Sequence, residues 1–537
     1  MRVESHARSV KVSGLLWPPA GFVDIPTCSA TIPVLSDKDY DAGPAGNGWP
    51  LTICLMTHEV ARRLAISVQP VPKQDAEARK RNFDETYIGF DLNAARIEAS
   101  RCIQCPSAPC QEACPVSNDI PGAFALLEIG DILGAANKFR ETSNLPEMCG
   151  RLCPQEKLCE GACVVGFAIR KDGKKEPPVT IGKLEAFCTD YQRQALGGYP
   201  MPRYLPEPTG RNVAVVGSGP AGLAVAEQLA DMGHGVTVYE FWPEPGGVLV
   251  YGIPNFKMKK NIVDEYIAHL EAMGVKFVCN TYVGKDVTID DMLAGEFDAV
   301  FVGTGAGVGN QMEIEGENLK GVYSATEFLV RGNLAPEQLP NQYREALPKL
   351  ANVVVIGGGD TSMDCVRTAI RLGAENVSCV YRRTEAEMLG RGEERKNARE
   401  EGVNFEMLTL PTRIIGDEEG KVVSVECQRM ELGEPDESGR RRPIPVQGSE
   451  FLIPADAVAI AIGYGADPLV PQTTSGLRSD RKALIQVDQT MRTSRPGVFA
   501  GGDNVNGADL VVTALADGRV AAQAIADYMA KLPPKRR

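Results

Sequence analysis

Eight cysteines crowd into residues 102–163 of this 537-residue chain. The stretch "CIQCPSAPCQEACP" (102–115) carries four of them at spacings of 2, 4 and 3, with a proline after the last. The stretch "CGRLCPQEKLCEGAC" (149–163) carries the other four, and the remaining seven of the fifteen are scattered. The N-terminal region shows no n-, h- and cleavage pattern of a secretory signal, so a disulfide framework is not expected. Thiolates this close repel one another, and a metal centre is what would hold them together.

The opening stretch resembles the C-x2-C-x2-C-x3-C-P run of bacterial ferredoxins, with one spacing widened from 2 to 4. Three ligands on a tight loop cap one face of a cubane, while the fourth is carried off by the helix after the proline. Such a loop needs a distant cysteine to complete its own cluster, and residues 149–163 supply a second group. Two [4Fe–4S] clusters take eight ligands, and spacing alone offers eight thiols, Cys149 included. The alternative is zinc, because C-x2-C paired with C-x3-C would make a tetrahedral site. Zinc sites come mostly as two clean pairs, often with histidine. The chain has four histidines, none of them between 102 and 163. Two clusters are therefore the expectation.

Around these cysteines, "DLNAARIEASRC" and "IPGAFALLEIGDILGAANKFRETS" space apolar residues every 3 to 4 positions, which predicts helices. A small helical cluster domain is expected over 56–205. Residues 1–55 show no sustained period and many turn formers. They read as a disordered extension, or as sequence upstream of a start at Met56.

Two nucleotide-binding patterns follow. In "NVAVVGSGPAGLAVAEQLADMGHGVTVYE" (212–240) a strand ends in Gly217-x-Gly219-x-x-Gly222, then come a helix, a second strand and Glu240. The glycines let a pyrophosphate approach the backbone at the helix start, and the acid suits a ribose 2′-hydroxyl. In "NVVVIGGGDTSMDCVRTAIRLGAENVSCVYRR" (352–383), Gly357, Gly358 and Gly359 form the turn and Asp360 and Thr361 open the helix. Ser362 takes the third-glycine position, and Arg382 and Arg383 stand where an acid would be. Two guanidiniums suit a 2′-phosphate, so this site reads as one for NADPH rather than NADH.

Two apolar runs with Gly-rich ends, "FDAVFVGTGAG" (297–307) and "DAVAIAIGYGADP" (456–468), mark crossings between these units. In "RPGVFAGGDNVNGADLVVTALADGRVAAQAIADYM" (495–529), Gly502 and Asp503 follow a strand and precede a helix. Asp503 suits the ribityl chain of a flavin, and the helix N-terminus near Asp509–Thr513 suits its pyrimidine edge. The expected fold class is α/β: a helical two-cluster iron–sulfur domain, then two Rossmann-like domains. The FAD domain would span 206–330 and 463–537, with an NADPH domain, 331–462, inserted in it.

With these motifs in view, the chain from about residue 90 resembles the small subunit of NADPH-dependent glutamate synthase, an architecture shared with the N-terminal half of dihydropyrimidine dehydrogenase. The matching stretches are "CIQCPSAPCQEACPV", "GRLCPQEKLCEGACV", "PVTIGKLEAF", "VAVVGSGPAGLA", "GGVLVYGIPNFKM", "GGGDTSMDCVRTA", "YRRTEAEMLG" and "NAREEGV". The resemblance implies one cluster on Cys102, Cys105, Cys110 and Cys163. It implies a second on Cys114, Cys153, Cys159 and Glu185, which leaves Cys149 a bystander. It also implies that Gly247, Leu249, Tyr251 and Ile253 line the flavin, with Thr513 at the helix start. Leu389 stands where the family commonly has proline.

The function so implied is an electron relay from NADPH through FAD and two [4Fe–4S] clusters to a separate large catalytic subunit. Glutamate synthase is the leading expectation, because the chain carries no glutaminase or FMN-barrel pattern of its own. The alternatives are the electron-input subunit of a dihydropyrimidine dehydrogenase and an NADP:ferredoxin oxidoreductase subunit serving a 2-oxoacid oxidoreductase. The "MCGRLC" run leans toward the former; Glu185 and "NAREEGV" lean toward glutamate synthase. No nucleophile triad is found, so the catalytic work would fall to the cofactors. A net charge of −13 argues against nucleic acid as a partner. No run of about 18 apolar residues predicts a membrane span, and the expected location is cytoplasmic.

Overall fold

The computed structural model describes residues 58–533 apart from 170–172, 203, 346 and 436–438. The extension expected over 1–55 lies outside the described residues.

Five helices build the cysteine-rich part: Leu92–Ala99, Ile120–Ile129, Ile132–Arg140, Pro146–Leu152 and Ile181–Leu196. Asp91, Asp119 and Asp131 each accept from a first-turn backbone N–H, which satisfies donors that a helix start leaves unpaired. Gly130, at φ +93°, ends one helix, and Asp131 at once caps the next. Phe124, Leu127, Ala135, Ala136, Phe139 and Leu184 fill the core between them.

The rest of the chain builds two parallel five-stranded sheets. The first runs Val498–Ala500, Ala299–Val302, Asn212–Val216, Gly235–Tyr239, Lys276–Val278. The second runs Val322–Ser324, Ala457–Ile460, Asn352–Ile356, Asn376–Tyr381, Asn404–Met407. Their central strands carry unbroken apolar runs, VAVV, AVFV, VVVI and AVAI, as sheets covered on both faces require. A three-stranded antiparallel sheet, Thr409–Gly416, Val422–Pro435 and Arg441–Pro454, extends from the second. Val308–Gly309 pairs antiparallel with Tyr464–Gly465, so the chain just past the first crossing stretch meets the end of the second.

Buried charge fastens the N-terminal segment to the second sheet. Glu401 accepts from Arg79 Nε at 2.8 Å, Arg367 Nε at 3.0 Å and Arg371 Nη1 at 2.7 Å. Arg367 also donates to Thr86 Oγ1 at 2.7 Å. All these guanidiniums are buried.

Candidate cofactor and cluster sites

The two nucleotide turns are built alike. Each follows the central strand of its sheet, where the strand order reverses and a crevice opens at the strands' carboxyl ends. Gly217 N–H donates to Tyr239 O, and Gly357 N–H donates to Val380 O, at 2.8 and 3.0 Å. A β-carbon on Gly217 (φ +95°) would lie 2.4 Å from Gly303 O, and one on Gly357 (φ +143°) would lie 2.2 Å from Ala461 O. Gly222 packs its helix on the turn, since a β-carbon there would lie 2.0 Å from Gly217 O. Ser362 replaces that glycine in the second turn and donates to Ala461 O at 3.3 Å.

Gly219 and Gly359 are different. Both have ordinary extended backbone, and a β-carbon at either would meet nothing within 4 Å. The protein itself does not call for glycine there. An occupant outside the chain would, and a pyrophosphate at each helix start fits that space.

Around the first turn, Glu240 is buried and accepts from Ser218 N at 2.9 Å, Ser218 Oγ and Trp242 N at 2.8 Å. Burial raises its pKa against these hydrogen bonds. The Phe241 N–H also favours the charged carboxylate, so the chain itself holds this acid through four donors. A β-carbon on Gly247 (φ +53°) would lie 3.0 Å from Gly219 Cα. The short helix Val248–Tyr251 follows, with Leu249 buried and Tyr251 stacked on Trp242 at 4.6 Å. Lys260 Nζ donates to Leu249 O at 2.8 Å and to Ile253 O, which clamps this helix. Burial lowers that amine to about 7. Gly502 (φ +80°) sits against Ala221 and Ala514, while burial raises Asp503 to about 6. Thr513 Oγ1 donates to Leu510 O at 2.8 Å, at the start of Val511–Met529.

Around the second turn, Gly358 packs on the Tyr381 ring, and Asp360 Oδ1 accepts from Arg391 N at 3.0 Å. Thr361 hydrogen-bonds the side chain of Tyr464. The paired arginines part company. Arg382 is exposed, whereas Arg383 is buried and donates through Nε to Arg441 O at 2.8 Å, gripping the neighbouring hairpin.

The cysteines fall into two groups. Cys110 is raised to about 12 by burial and by the neighbouring sulfurs of Cys102, Cys163 and Cys105. Cys102, raised to about 11, and Cys105 feel Cys163 in the same way. The loop from 102 to 110 and the distant Cys163 are thus together. In the other group, burial raises Cys114 to about 11, with Glu185 and Cys149 beside it. Cys159 feels Glu185 and Cys114, and Cys153 feels Cys149, Glu185 and Cys159. Burial also holds the Glu185 carboxyl well above its ordinary range, although Asn118 Nδ2 donates to it at 3.1 Å. Cys149 is buried beside Cys153 and lies 3.8 Å from Ser143 Oγ.

Among the described residues, no three His, Cys, Asp or Glu side chains converge to hold a single metal ion. Tetrahedral zinc with ~2.3 Å bonds would need its sulfurs about 3.8 Å apart. A cubane spreads its ligands over separate irons and needs wider spacing. Cysteines gathered at two points, with no three converging on one ion among the described residues, fit two such clusters better than zinc.

The pyridine nucleotide-disulphide oxidoreductase family matches residues 186–292 and 211–518, and the dihydropyrimidine dehydrogenase domain II, 4Fe-4S cluster family matches 79–196. The Escherichia coli (strain K12) glutamate synthase [NADPH] small chain is 40% identical over 85% of this chain and 96% of its own length. The chain belongs to the glutamate synthase small-chain family. It is an NADPH-dependent flavin oxidoreductase with FAD and 4Fe-4S cofactors. The putative oxidoreductase AegA of the same organism is 45% identical over 84% of this chain and 68% of its own length. Among solved structures, Mycobacterium tuberculosis FprA aligns with a TM-score of 0.51 at 23% identity, covering 60% of this chain and 85% of FprA, which shows the fold. Among the described residues, no helix is long and apolar enough to cross a membrane.

Motif reading missed two members of these sites, Lys260 and Arg391. Both lie in charged stretches, "KMKK" and "RGEER", that look like ordinary solvated surface.

Proposed function

We propose that this chain draws electrons from NADPH at the second turn and delivers them to a separate large catalytic subunit. The cofactors would supply the chemistry, FAD at the first turn taking electrons in pairs and two [4Fe–4S] clusters passing them singly. The protein's part is to bind, orient and exclude water. Gly217, Gly219, Gly222 and Glu240 would hold the FAD nucleotide, with Gly247, Leu249, Gly502, Asp503 and Thr513 about its ring and ribityl end. Gly357–Thr361 would hold the NADPH pyrophosphate and Arg382 its 2′-phosphate.

The carrying observation is how the cysteine groups are buried. Cys149 and Cys153 share one apolar core with Leu249, Tyr251 and the first sheet. Cys102, Cys110 and Cys163 sit in the separate core of the cluster domain. This supports an order from the flavin side to Cys114, Cys153, Cys159 and Glu185, and then to Cys102, Cys105, Cys110 and Cys163. Phe167 and Ile169, just after Cys163, are exposed, as a partner contact there requires.

A glutamate synthase large chain is the favoured partner, because the similarity spans 96% of that family's small chain. A different acceptor is the second reading, since identity to the putative oxidoreductase AegA is higher. The reading sets the protein in the cytoplasm. Anaerobic titration with NADPH, followed by optical and EPR spectra with NADH as control, tests it. Flavin bleaching with reduced-cluster signals, NADPH being preferred, is expected. Zinc without iron in the same sample would sink the relay. Co-purification from the native cell separates the two partners.

A further inference from the structure

An unbroken run of hydrogen bonds joins the second nucleotide turn to the second cysteine group. Gly390 N–H donates to Gly358 O at 3.0 Å, and Arg391 N–H donates to Asp360 Oδ1 at 3.0 Å. This segment lies directly on the turn, since a β-carbon on Gly390 would be 3.1 Å from the Gly359 carbonyl carbon. The Arg391 side chain, 3% exposed, points the other way. Its Nη1 donates to Arg151 O at 3.0 Å and its Nη2 to Gln155 Oε1 at 2.8 Å. Gln155 is buried too, and its Nε2 donates to Cys149 O at 3.1 Å and Gly150 O at 3.2 Å. The Cys149 carbonyl also accepts from Cys153 N–H at 3.2 Å. Lys157 Nζ adds a parallel strut to Leu389 O at 2.8 Å.

These groups have little freedom. Gly182 admits the Gln155 side chain where a β-carbon would lie 2.2 Å from Nε2. A displacement of the 388–391 segment would therefore be felt at the carbonyls that end the helix Pro146–Leu152, where Cys153 is the capping residue. Cluster potentials respond to hydrogen bonds and charge near the sulfurs.

We propose that Arg391 and Gln155 form a positioning link through which occupancy of the NADPH turn sets the geometry, and so the potential, of the cluster held by Cys153. The link rests on the reading that NADPH binds at 357–361 and a cluster at Cys114, Cys153 and Cys159. The two ends need not share a ligand, because coupling between sites requires only that each biases one common element.

The probe is adenosine 2′,5′-bisphosphate, which carries both phosphates of the adenosine half but no nicotinamide. Potentiometric EPR titration of the intact holoprotein is run with and without it. In the wild type, one cluster's midpoint shifts, and by reciprocity affinity for the bisphosphate differs about 5-fold or more between oxidised and reduced protein. In Gln155→Leu the shift is lost, while iron content and binding to the oxidised protein persist; in Arg391→Lys the shift is lost as well. Gln155 touches no residue of the turn, so its variant separates coupling from binding. A shift that survives in both variants overturns the link. So does a wild type that binds the bisphosphate with no shift. A wild type without iron, or one that does not bind the bisphosphate, overturns the underlying reading with it.

Discussion

Lys257 Nζ lies 2.9 Å from Asp364 Oδ1, and both side chains are almost wholly buried. Asp364 stands one turn into the helix that begins at the second nucleotide turn, and Lys257 belongs to the segment after the short helix Val248–Tyr251. The pair pins one nucleotide unit to the other. Burial raises Asp364 to about 6 even with Lys257 beside it, so the carboxylate depends on its partner. Removing one member of a buried pair leaves an uncompensated charge, at about 3–5 kcal/mol. Lys257→Met is expected to lose about that much stability in urea unfolding, and Lys257→Met with Asp364→Leu to recover most of it. A single variant as stable as the wild type would mean the pair does no pinning.

The two first-turn glycines should respond oppositely to alanine. Gly219→Ala meets nothing within 4 Å in the chain, so unfolding of the FAD-free protein should not weaken, while FAD content falls sharply. Gly222→Ala drives a β-carbon to 2.0 Å from Gly217 O and should destabilise the protein itself by about 1–3 kcal/mol. Full FAD content in Gly219→Ala would show that nothing occupies the space beside it.

These turns were legible in the sequence because they are local: strand, glycines and helix lie within a dozen residues, and each glycine has one steric reason. The long-range features were not. Nothing in "YRR" tells that Arg383 turns inward, because the group that takes it, Arg441 O, is 58 residues away on a hairpin. Spacing alone counted Cys149 as an eighth thiol. The resemblance, not spacing, points to Cys163 and Glu185, and it is packing that brings Cys163 back to the 102–110 loop and sets Glu185 beside Cys114, Cys153 and Cys159. The Arg391–Gln155 contact spans 236 residues and joins two polar side chains that no periodicity marks.

That split between the paired arginines has a kinetic consequence. Arg382, exposed at the strand end, is the one left to meet a 2′-phosphate. Arg382→Ala should raise the KM for NADPH about 10- to 150-fold, the loss of charge-assisted hydrogen bonds, with NADH little affected. Arg383→Ala should instead weaken the hairpin and lower thermal stability, with both nucleotides affected alike. Equal losses for NADPH and NADH in Arg382→Ala would remove it from phosphate recognition.

Cys149 and Glu185 compete for one role, since both border Cys114 and Cys153, and Glu185 also borders Cys159. Glu185 is held by Asn118, itself fixed by Thr142 Oγ1 at 2.6 Å, so its carboxylate is aimed. Cys149 bonds Ser143 and Cys153 instead. Cys149→Ser is expected to retain its iron and acid-labile sulfide, and Glu185→Ala to lose up to half. The reverse pattern would make Cys149 the ligand.

Glu401 sets an acid limit on how the N-terminal segment holds the second sheet. Burial alone would raise its carboxyl, but hydrogen bonds and charge from Arg371 and Arg367 outweigh that and bring it from 4.5 to about 2. A carboxyl with a depressed folded pKa binds fewer protons folded than unfolded. Its contribution is therefore complete above 4.5 and is lost as pH falls from there through about 2. Urea midpoints measured from pH 6 to pH 3 should fall below about 4.5 in the wild type. Glu401→Gln removes the titrating group and should start lower and flatten that limb. Acid loss of iron would be common to both proteins and cancels in the comparison. Parallel curves for the two would show that the three arginines gathered on Glu401 contribute no pH-dependent stability.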